Sequence, residues 1–134
     1  MKKEEIITTI VIILIIVSDF FLNNYTKKCI SKTTEDLKAL KEITLTQIKN
    51  DNDSEDEKLT EQSKDVYEDW KNMNKKLTFY LEHDELEKVN ISMERMIANY
   101  EAQKKEDAIP EIEEGIYILR HIKEKQELSL KNIF

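Results

Sequence analysis

Apolar residues follow two different patterns in this chain, a continuous run near the N-terminus and a spaced pattern after it. Residues 6–22 read IITTIVIILIIVSDFFL, and Asp19 is the single charged residue among them. A helix of 17 residues, at about 1.5 Å per residue, spans about 25 Å, the short end of the range for a bilayer core. The run predicts a transmembrane anchor at residues 6–22, after a tail at residues 1–5 and before a juxtamembrane segment at residues 23–29.

A cleaved signal peptide is the main alternative to an anchor. The residues that end the run, FFLNN at positions 20–24, contain no small-x-small cleavage site, which favours an uncleaved signal anchor. Lys2 and Lys3 precede the run and Lys27 and Lys28 follow it, so the positive-inside rule does not decide the orientation. A short N-terminal tail before a long polar domain favours a single-pass protein of the cell membrane with its soluble domain outside.

Asp19 interrupts the run close to its C-terminal end. An aspartate there either marks the interface, where its carboxylate reaches water, or makes a polar contact with another membrane helix. Its position near the end of the run favours the interfacial interpretation.

The spaced pattern beyond residue 30 is helical. The clearest stripe steps by seven, four, three, four and three residues, as one apolar face of a helix does. The four stripes are Ile30, Leu37, Leu40, Ile43 or Thr44 and Ile48; Leu59, Val66, Trp70, Met73, Leu77 and Tyr80; Leu86, Val89, Met93, Met96 or Ile97 and Tyr100; and Ile109, Ile112, Ile116 and Leu119. We therefore predict an all-α protein with an antiparallel four-helix bundle of two hairpins at residues 30–126.

Polar residues predict where these helices begin. Ser54 with Glu57, and Asp84 with Glu87, have the spacing of capping boxes for the second and third helices. Asp107 is expected to cap the fourth helix.

Three further features concern the last helices. Lys104 and Lys105 suit the negative end of the third helix. Pro110 is expected in the first turn of the fourth helix, and Gly115 is expected at a close helix contact. In residues 127–134 the apolar positions no longer follow a regular helical spacing. This segment predicts an apolar C-terminal tail that docks on the bundle or on a partner.

Composition narrows the classes of function. One glycine and one proline in 134 residues agree with long helices, and the net charge is −7. Residues 1–29 hold four lysines and three acids, so residues 30–134 hold 17 basic and 25 acidic residues. This sign excludes a typical nucleic-acid binder, which must neutralise phosphates. Cys29 is the single cysteine, so an intramolecular disulfide is excluded, and its thiol is a natural site for labelling with a membrane-impermeant maleimide.

His83, Asp84 and Glu85 form the most site-like cluster in the sequence. A histidine at the end of the second helix, beside two acids, is expected to favour the imidazolium form. It would serve as a metal ligand or a pH sensor, although a helix-ending histidine in a charged turn is the favoured interpretation. His121 is expected near the same end of the bundle, but the ligand spacing matches no recognised metal site.

Two other patterns suggest chemistry less strongly. The loop DNDSE at residues 51–55 resembles the start of a calcium loop, but Asp56 occupies the glycine position and Gln62 the final glutamate position, which favours an acidic helix start. Trp70, Phe79 and Tyr80 have the spacing of a packed core rather than of a ligand-binding face. We find no catalytic constellation, and expect neither an enzyme nor a cofactor.

With these residues located, the chain resembles the small membrane-anchored helical proteins grouped as domain of unknown function 4363. The resemblance lies in Trp70, the segment FYLEHDEL at residues 79–86, MERM at 93–96, HI at 121–122 and the ending ELSLKNIF at 127–134. It covers nearly the whole chain. The polar stretch at residues 50–57 is longer than the usual turn of the family and lacks the tryptophan expected near it.

The resemblance implies a helical domain behind an anchor and no established enzyme activity. It assigns no functional residues, and it nominates Trp70, His83, Arg95 and residues 132–134 (Asn132, Ile133 and Phe134) for mutation. We expect a non-enzymatic interaction protein, an accessory subunit beside a multi-spanning membrane protein. A sensor or ligand-binding module outside the membrane, built on the turn at His83, is the alternative, and a homo-oligomer stays open.

Overall fold

In the computed structural model, four helices follow one another along the chain. The structure describes residues 2–79 and 81–133, and side chains as far as Leu128 apart from that of residue 80. The helices are α1 (Lys3–Lys49), α2 (Asp56–Leu77), α3 (His83–Glu101) and α4 (Lys105–Ile133). Contacts join α1 to α2, α2 to α3, α3 to α4 and α4 back to α1, so the helices form an up-down-up-down bundle with short turns. The predicted all-α fold is confirmed.

The predicted anchor and the first predicted bundle helix form one continuous helix. α1 has 47 residues, or roughly 70 Å at 1.5 Å per residue. Its most apolar window of 18 residues has a mean hydropathy of 2.4, and none of that window is buried. The apolar run is therefore not part of the core of this bundle, and by length and composition it fits a membrane span or a signal sequence.

Packing of α1 begins seven residues earlier than we predicted. Asn23, Thr26 and Cys29 are buried, so residues 23–29 are part of the packed helix and not a separate juxtamembrane segment. From Asn23 to Gln47 the buried seam advances in alternating steps of three and four residues, through Asn23, Thr26, Ile30, Thr33, Leu37, Leu40, Thr44 and Gln47. This spacing is that of helices packed side by side in a coiled coil or a bundle.

The core takes its apolar side chains mostly from α3 and α4. Its largest fully buried side chains include Trp70, Met93, Met96, Ile112 and Leu119. Gly115 lies in the packed face of α4, where an added Cβ would be 3.5 Å from Leu37 Cδ1 and 3.9 Å from Ser92 Cβ. These are ordinary contact distances, so the bundle has room for a methyl group at this position.

The predicted capping boxes are wrong. The N–H and hydroxyl of Ser54 both donate to Asn52 Oδ1, at 3.0 and 2.6 Å, which folds the loop back on itself before α2 starts. α3 begins one residue before Asp84, and α4 begins two residues before Asp107. Pro110 is consequently in the second turn of α4 and not in its first.

α1 and α3 end in the same way, although neither has a glycine at its end. Asp51 has φ 49° and Gln103 has φ 59°, the left-handed conformation. The N–H groups of Asn52 and Lys104 reach back to the carbonyls of Gln47 and Asn99, at 3.0 and 2.9 Å. Both ends are therefore Schellman motifs, which turn the chain sharply into the next helix.

The C-terminal segment differs from its prediction. Residues 127–133 continue α4 as regular helix, whereas we expected an irregular tail that folds back. Glu127 faces Lys27 of α1 at 4.0 Å, and Leu128 is 60% exposed.

Candidate functional site

The charged turn nominated by the sequence lies at the start of α3. His83 is the first residue of α3 and is exposed, as is Asp84. We expected His83 to end the preceding helix, where the helix dipole favours a positive charge. That expectation is wrong, because α2 ends at Leu77 and His83 begins the next helix.

Glu85 faces α4 rather than solvent. Its Oε1 is 3.4 Å from Lys125 Nζ and 3.6 Å from His121 Nε2, and its side chain is 15% exposed. Lys125 also donates to Glu82 at 3.0 Å. The hydrogen bond that Lys125 donates to Glu82 raises the pKa of Lys125, with partial burial acting against it. This charged cluster of Glu82, Glu85, His121 and Lys125 joins the start of α3 to α4.

The two histidines lie at the same end of the bundle, because His121 contacts Glu85 two residues from His83. Their proximity does not make a metal site by itself. Within the part of the chain that the structure describes, no group of three or more His, Cys, Asp or Glu side chains could hold a metal ion.

Trp70 belongs to the core, as its spacing predicted, but the same prediction is wrong for Phe79, which is 86% exposed. Tyr80 lies outside the described residues. Trp70 is completely buried, and its Nε1–H donates to Asn90 Oδ1 at 2.7 Å. Asn74 Nδ2 approaches the same oxygen at 3.5 Å. The indole is thereby fixed between α2 and α3, and it has no free face for a ligand.

Arg95 is on the exposed face of α3, near the start of α4. Burial raises the pKa of Glu111, and the neighbouring Glu114 raises it further, while the charge of Arg95 acts against both. Arg95 therefore serves as a nearby counter-charge to Glu111 on the bundle surface.

Other nominated residues lie at the ends of the chain. The backbones of Asn132 and Ile133 belong to α4, their side chains lie outside the described part, and Phe134 lies outside the described residues. Asp19 is exposed and has no hydrogen bond or ion pair within the described chain. It precedes Asn23 by four residues, so it lies on the same face of α1 as the packed seam, within the unpacked apolar run.

Lys105 is the best-organised charged group in the bundle, and the sequence did not single it out as a site. It is the first residue of α4 and does not cap α3 as expected. Its Nζ donates to Asp53 Oδ1 at 2.8 Å, Asp56 Oδ1 at 2.9 Å and the Asn52 carbonyl at 2.9 Å. Three acceptors satisfy all three ammonium hydrogens, and the side chain is only 8% exposed.

The contacts of Lys105 explain the acidic residues in the loop between α1 and α2, which resembles the start of a calcium-binding loop. Asp53 lies in this loop, and its carboxylate receives the ammonium group of Lys105. The hydrogen bond that Lys105 donates to Asp53 is the main cause that raises the pKa of Lys105, against partial burial. The protein's own cation therefore takes the place that a metal would need.

Open grooves on the bundle surface offer room for contacts. One of about 260 Å³ between α1 and α2 has apolar residues at its base, and its rim holds Asp36, Asp65 and Asp69. Another, of about 450 Å³, lies between the start of α2 and the end of α3. Neither holds a convergent set of catalytic side chains among the described residues.

Comparison with known proteins gives one match. The sequence profile of the family described as domain of unknown function (DUF4363) matches residues 20–133. No curated protein and no solved structure matches the chain. The matched region includes the end of the apolar run, the charged turn and the whole bundle. The chain therefore belongs to the family of domain of unknown function 4363.

Proposed function

We propose that the chain is a single-pass membrane protein whose helical bundle serves as a non-enzymatic accessory subunit of a membrane complex. One observation carries this proposal: the first part of α1 exposes a continuous apolar surface, while the same helix is packed into the bundle from Asn23 onward. An apolar helix surface of this length is stable in hydrocarbon and not in water.

Continuity of α1 fixes the bundle to the anchor without a flexible linker. The buried seam starts at Asn23, directly after the apolar run ends at Leu22. A rigid joint of this kind holds the bundle at the membrane surface and limits its reach to partners in the same membrane. A multi-spanning membrane protein is the partner class that fits this restriction.

The non-enzymatic assignment rests on what the best-placed charged side chains do in the fold. Lys105, Lys125 and Glu85 are all engaged in contacts between helices. Such contacts stabilise the bundle and leave these groups unavailable as acids or bases for a substrate.

A sensor built on the charged turn receives less support from the geometry. His83 is exposed at a helix start, and the contact at 3.6 Å that joins a histidine to Glu85 comes from His121. A sensing role would therefore act through His121 and the charged cluster rather than through His83.

The test is purification of the tagged, full chain from detergent-solubilised membranes of its native host, with co-purifying proteins identified by mass spectrometry. A stoichiometric multi-spanning partner is expected. A matched variant replaces residues 6–22 by a leucine and alanine run of equal length. Retention of the partner assigns binding to the bundle, and its loss assigns binding to the native span. Recovery of both proteins without any stoichiometric partner contradicts the accessory-subunit proposal.

A further inference from the structure

The turn between α2 and α3 lies at the end of the bundle nearest to the apolar run. Lys76, in the last turn of α2, places its Nζ 5.7 Å from the centre of the Tyr25 ring on α1. The last turn of α2 is therefore level with Tyr25. The chain then continues through Thr78 and Phe79 before it turns back into α3.

α4 reaches the same level from the other side. Lys41 pairs with Glu113 at 3.0 Å, and Lys27 faces Glu127 at 4.0 Å. Fourteen residues along α1 thus correspond to fourteen residues along α4 in the opposite direction. In this register, the helical backbone at Ile133 is level with Phe21, within the apolar run.

The turn between α2 and α3 and the last part of α4 both expose large apolar side chains at this end of the bundle. Phe79 is 86% exposed, and Leu128 is 60% exposed. The sequence continues after Leu128 with two further apolar residues of α4, Leu130 and Ile133. Solvated apolar side chains of this size are unfavourable in water when they are clustered.

The position of these residues identifies what covers them. The headgroup layer on each side of the hydrocarbon core is about 5 to 8 Å thick. Tyr25 follows Leu22, the last residue of the apolar run, by three residues, or about 4.5 Å along a helix. The level of Tyr25 therefore lies within the headgroup layer when the run spans the hydrocarbon.

We propose that Phe79 and Leu128 insert into the interface of the bilayer that α1 crosses, so that the bundle rests on the membrane at two points beside its anchor. This inference rests on the proposed membrane span of α1. Apolar side chains at this depth are buried at the boundary of headgroups and acyl chains. The two added contacts fix the tilt of the bundle relative to the membrane.

Tryptophan quenching by brominated lipids tests this proposal in the full chain. Four variants each add one tryptophan and keep Trp70: Phe20→Trp in the run, Phe79→Trp, Leu128→Trp, and Tyr117→Trp as the control. Tyr117 is 67% exposed on α4, four residues beyond Glu113 toward the membrane and ten residues before Glu127. Each variant is reconstituted in phosphatidylcholine nanodiscs with and without bromine on the acyl chains, and the unmodified chain supplies the Trp70 background.

The added emission of Phe79→Trp and Leu128→Trp is expected to be mostly lost in brominated bilayers, as is that of Phe20→Trp. The emission of Tyr117→Trp is expected to be unchanged. Quenching of Phe20→Trp while either Phe79→Trp or Leu128→Trp behaves like Tyr117→Trp overturns the two-point contact and leaves the anchor in place. Absence of quenching in Phe20→Trp overturns the membrane span itself, and with it the proposed function.

Discussion

The ammonium group of Lys105 lies 2.8 Å from Asp53 Oδ1 and joins the turn after α1 to the first residue of α4. These two turns form the end of the bundle that is farthest from the apolar run. Each follows a Schellman motif that ends the preceding helix. One buried lysine therefore fixes two similar turns to each other.

Replacement of this lysine is expected to destabilise the bundle. Lys105→Met leaves Asp56 and the Asn52 carbonyl without their donor, and we expect the free energy of unfolding to fall by about 1 to 3 kcal/mol. Asp53 is exposed to water and recovers part of the loss. Thermal unfolding followed by circular dichroism in detergent measures the effect. Lys104→Met, an exposed neighbour, is the control and should change stability little; equal stability of both variants would contradict the role of Lys105.

Stability is expected to fall at alkaline pH. The Tyr67 hydroxyl donates to Glu94 at 2.7 Å, and burial, together with this carboxylate, raises the pKa of Tyr67 to about 12. The folded state thus binds the phenolic proton more tightly than the unfolded chain, whose tyrosine pKa is about 10. The stabilisation is complete below about pH 10 and is lost as the pH rises towards 12. The raised pKa of Lys105 acts in the same direction.

Absorbance at 295 nm separates the tyrosine contribution. Burial also raises the pKa of Tyr100, so the unmodified chain should show late tyrosine ionisation from more than one residue. The part near pH 12 is assigned to Tyr67, and Tyr67→Phe should reduce the late amplitude by one tyrosine. The loss of stability between pH 10 and 12 should also become less steep in Tyr67→Phe. An unchanged late phase in that variant would show that Tyr67 is not the late-ionising group.

Glycine at the end of α3 is expected to stabilise the protein. Gln103 has φ 59°, a conformation that costs an ordinary residue about 1 kcal/mol and glycine very little. Gln103→Gly should therefore raise the free energy of unfolding by roughly 0.5 to 1 kcal/mol. Gln126→Gly, inside α4, should lower it by a similar amount. The two variants changing stability in the same direction would argue against the left-handed end of α3.

Labelling of an introduced cysteine is expected to show on which side of the membrane the bundle lies. The native cysteine cannot show this. Cys29 is 4% exposed, so its thiol should resist maleimide in the folded protein. Ser31 is exposed two residues later, and Ser31→Cys should react rapidly. A membrane-impermeant maleimide on intact cells should label Ser31→Cys if the bundle is outside the cell membrane. Labelling only after lysis would place the bundle on the inner side.

The sequence predicted the fold well where apolar residues carry the packing. The stripe through Leu59, Trp70 and Leu77 and the stripe through Leu86, Val89 and Met93 are buried as expected. The start of packing in α1 was missed, because Asn23, Thr26, Thr33 and Gln47 occupy seam positions that an apolar stripe does not reveal. A regular alternation of three and four residues, counted through polar positions, would have found them.

The candidate site was less predictable. In the sequence, His83 lies between the apolar stripes of the second and third helices. The pattern alone does not show which of the two helices includes it. The assignment of His83 to the end of α2 was wrong because α2 ends at Leu77, with Thr78 as its C-cap, and α3 begins at His83. Lys105 was missed because its three acceptors are roughly fifty positions away. Only the packing of the two turns against each other brings them together.

In the proposed function, the apolar part of α1 stays attached to the bundle and holds it in the membrane. The intact mass of the protein recovered from membranes washed with alkaline carbonate tests this claim directly. We expect the washed membranes to retain the protein, with a mass that includes residues 1–22. Release into the wash, or a mass that lacks those residues, would show that the run is a cleaved signal and that the bundle is not anchored by α1.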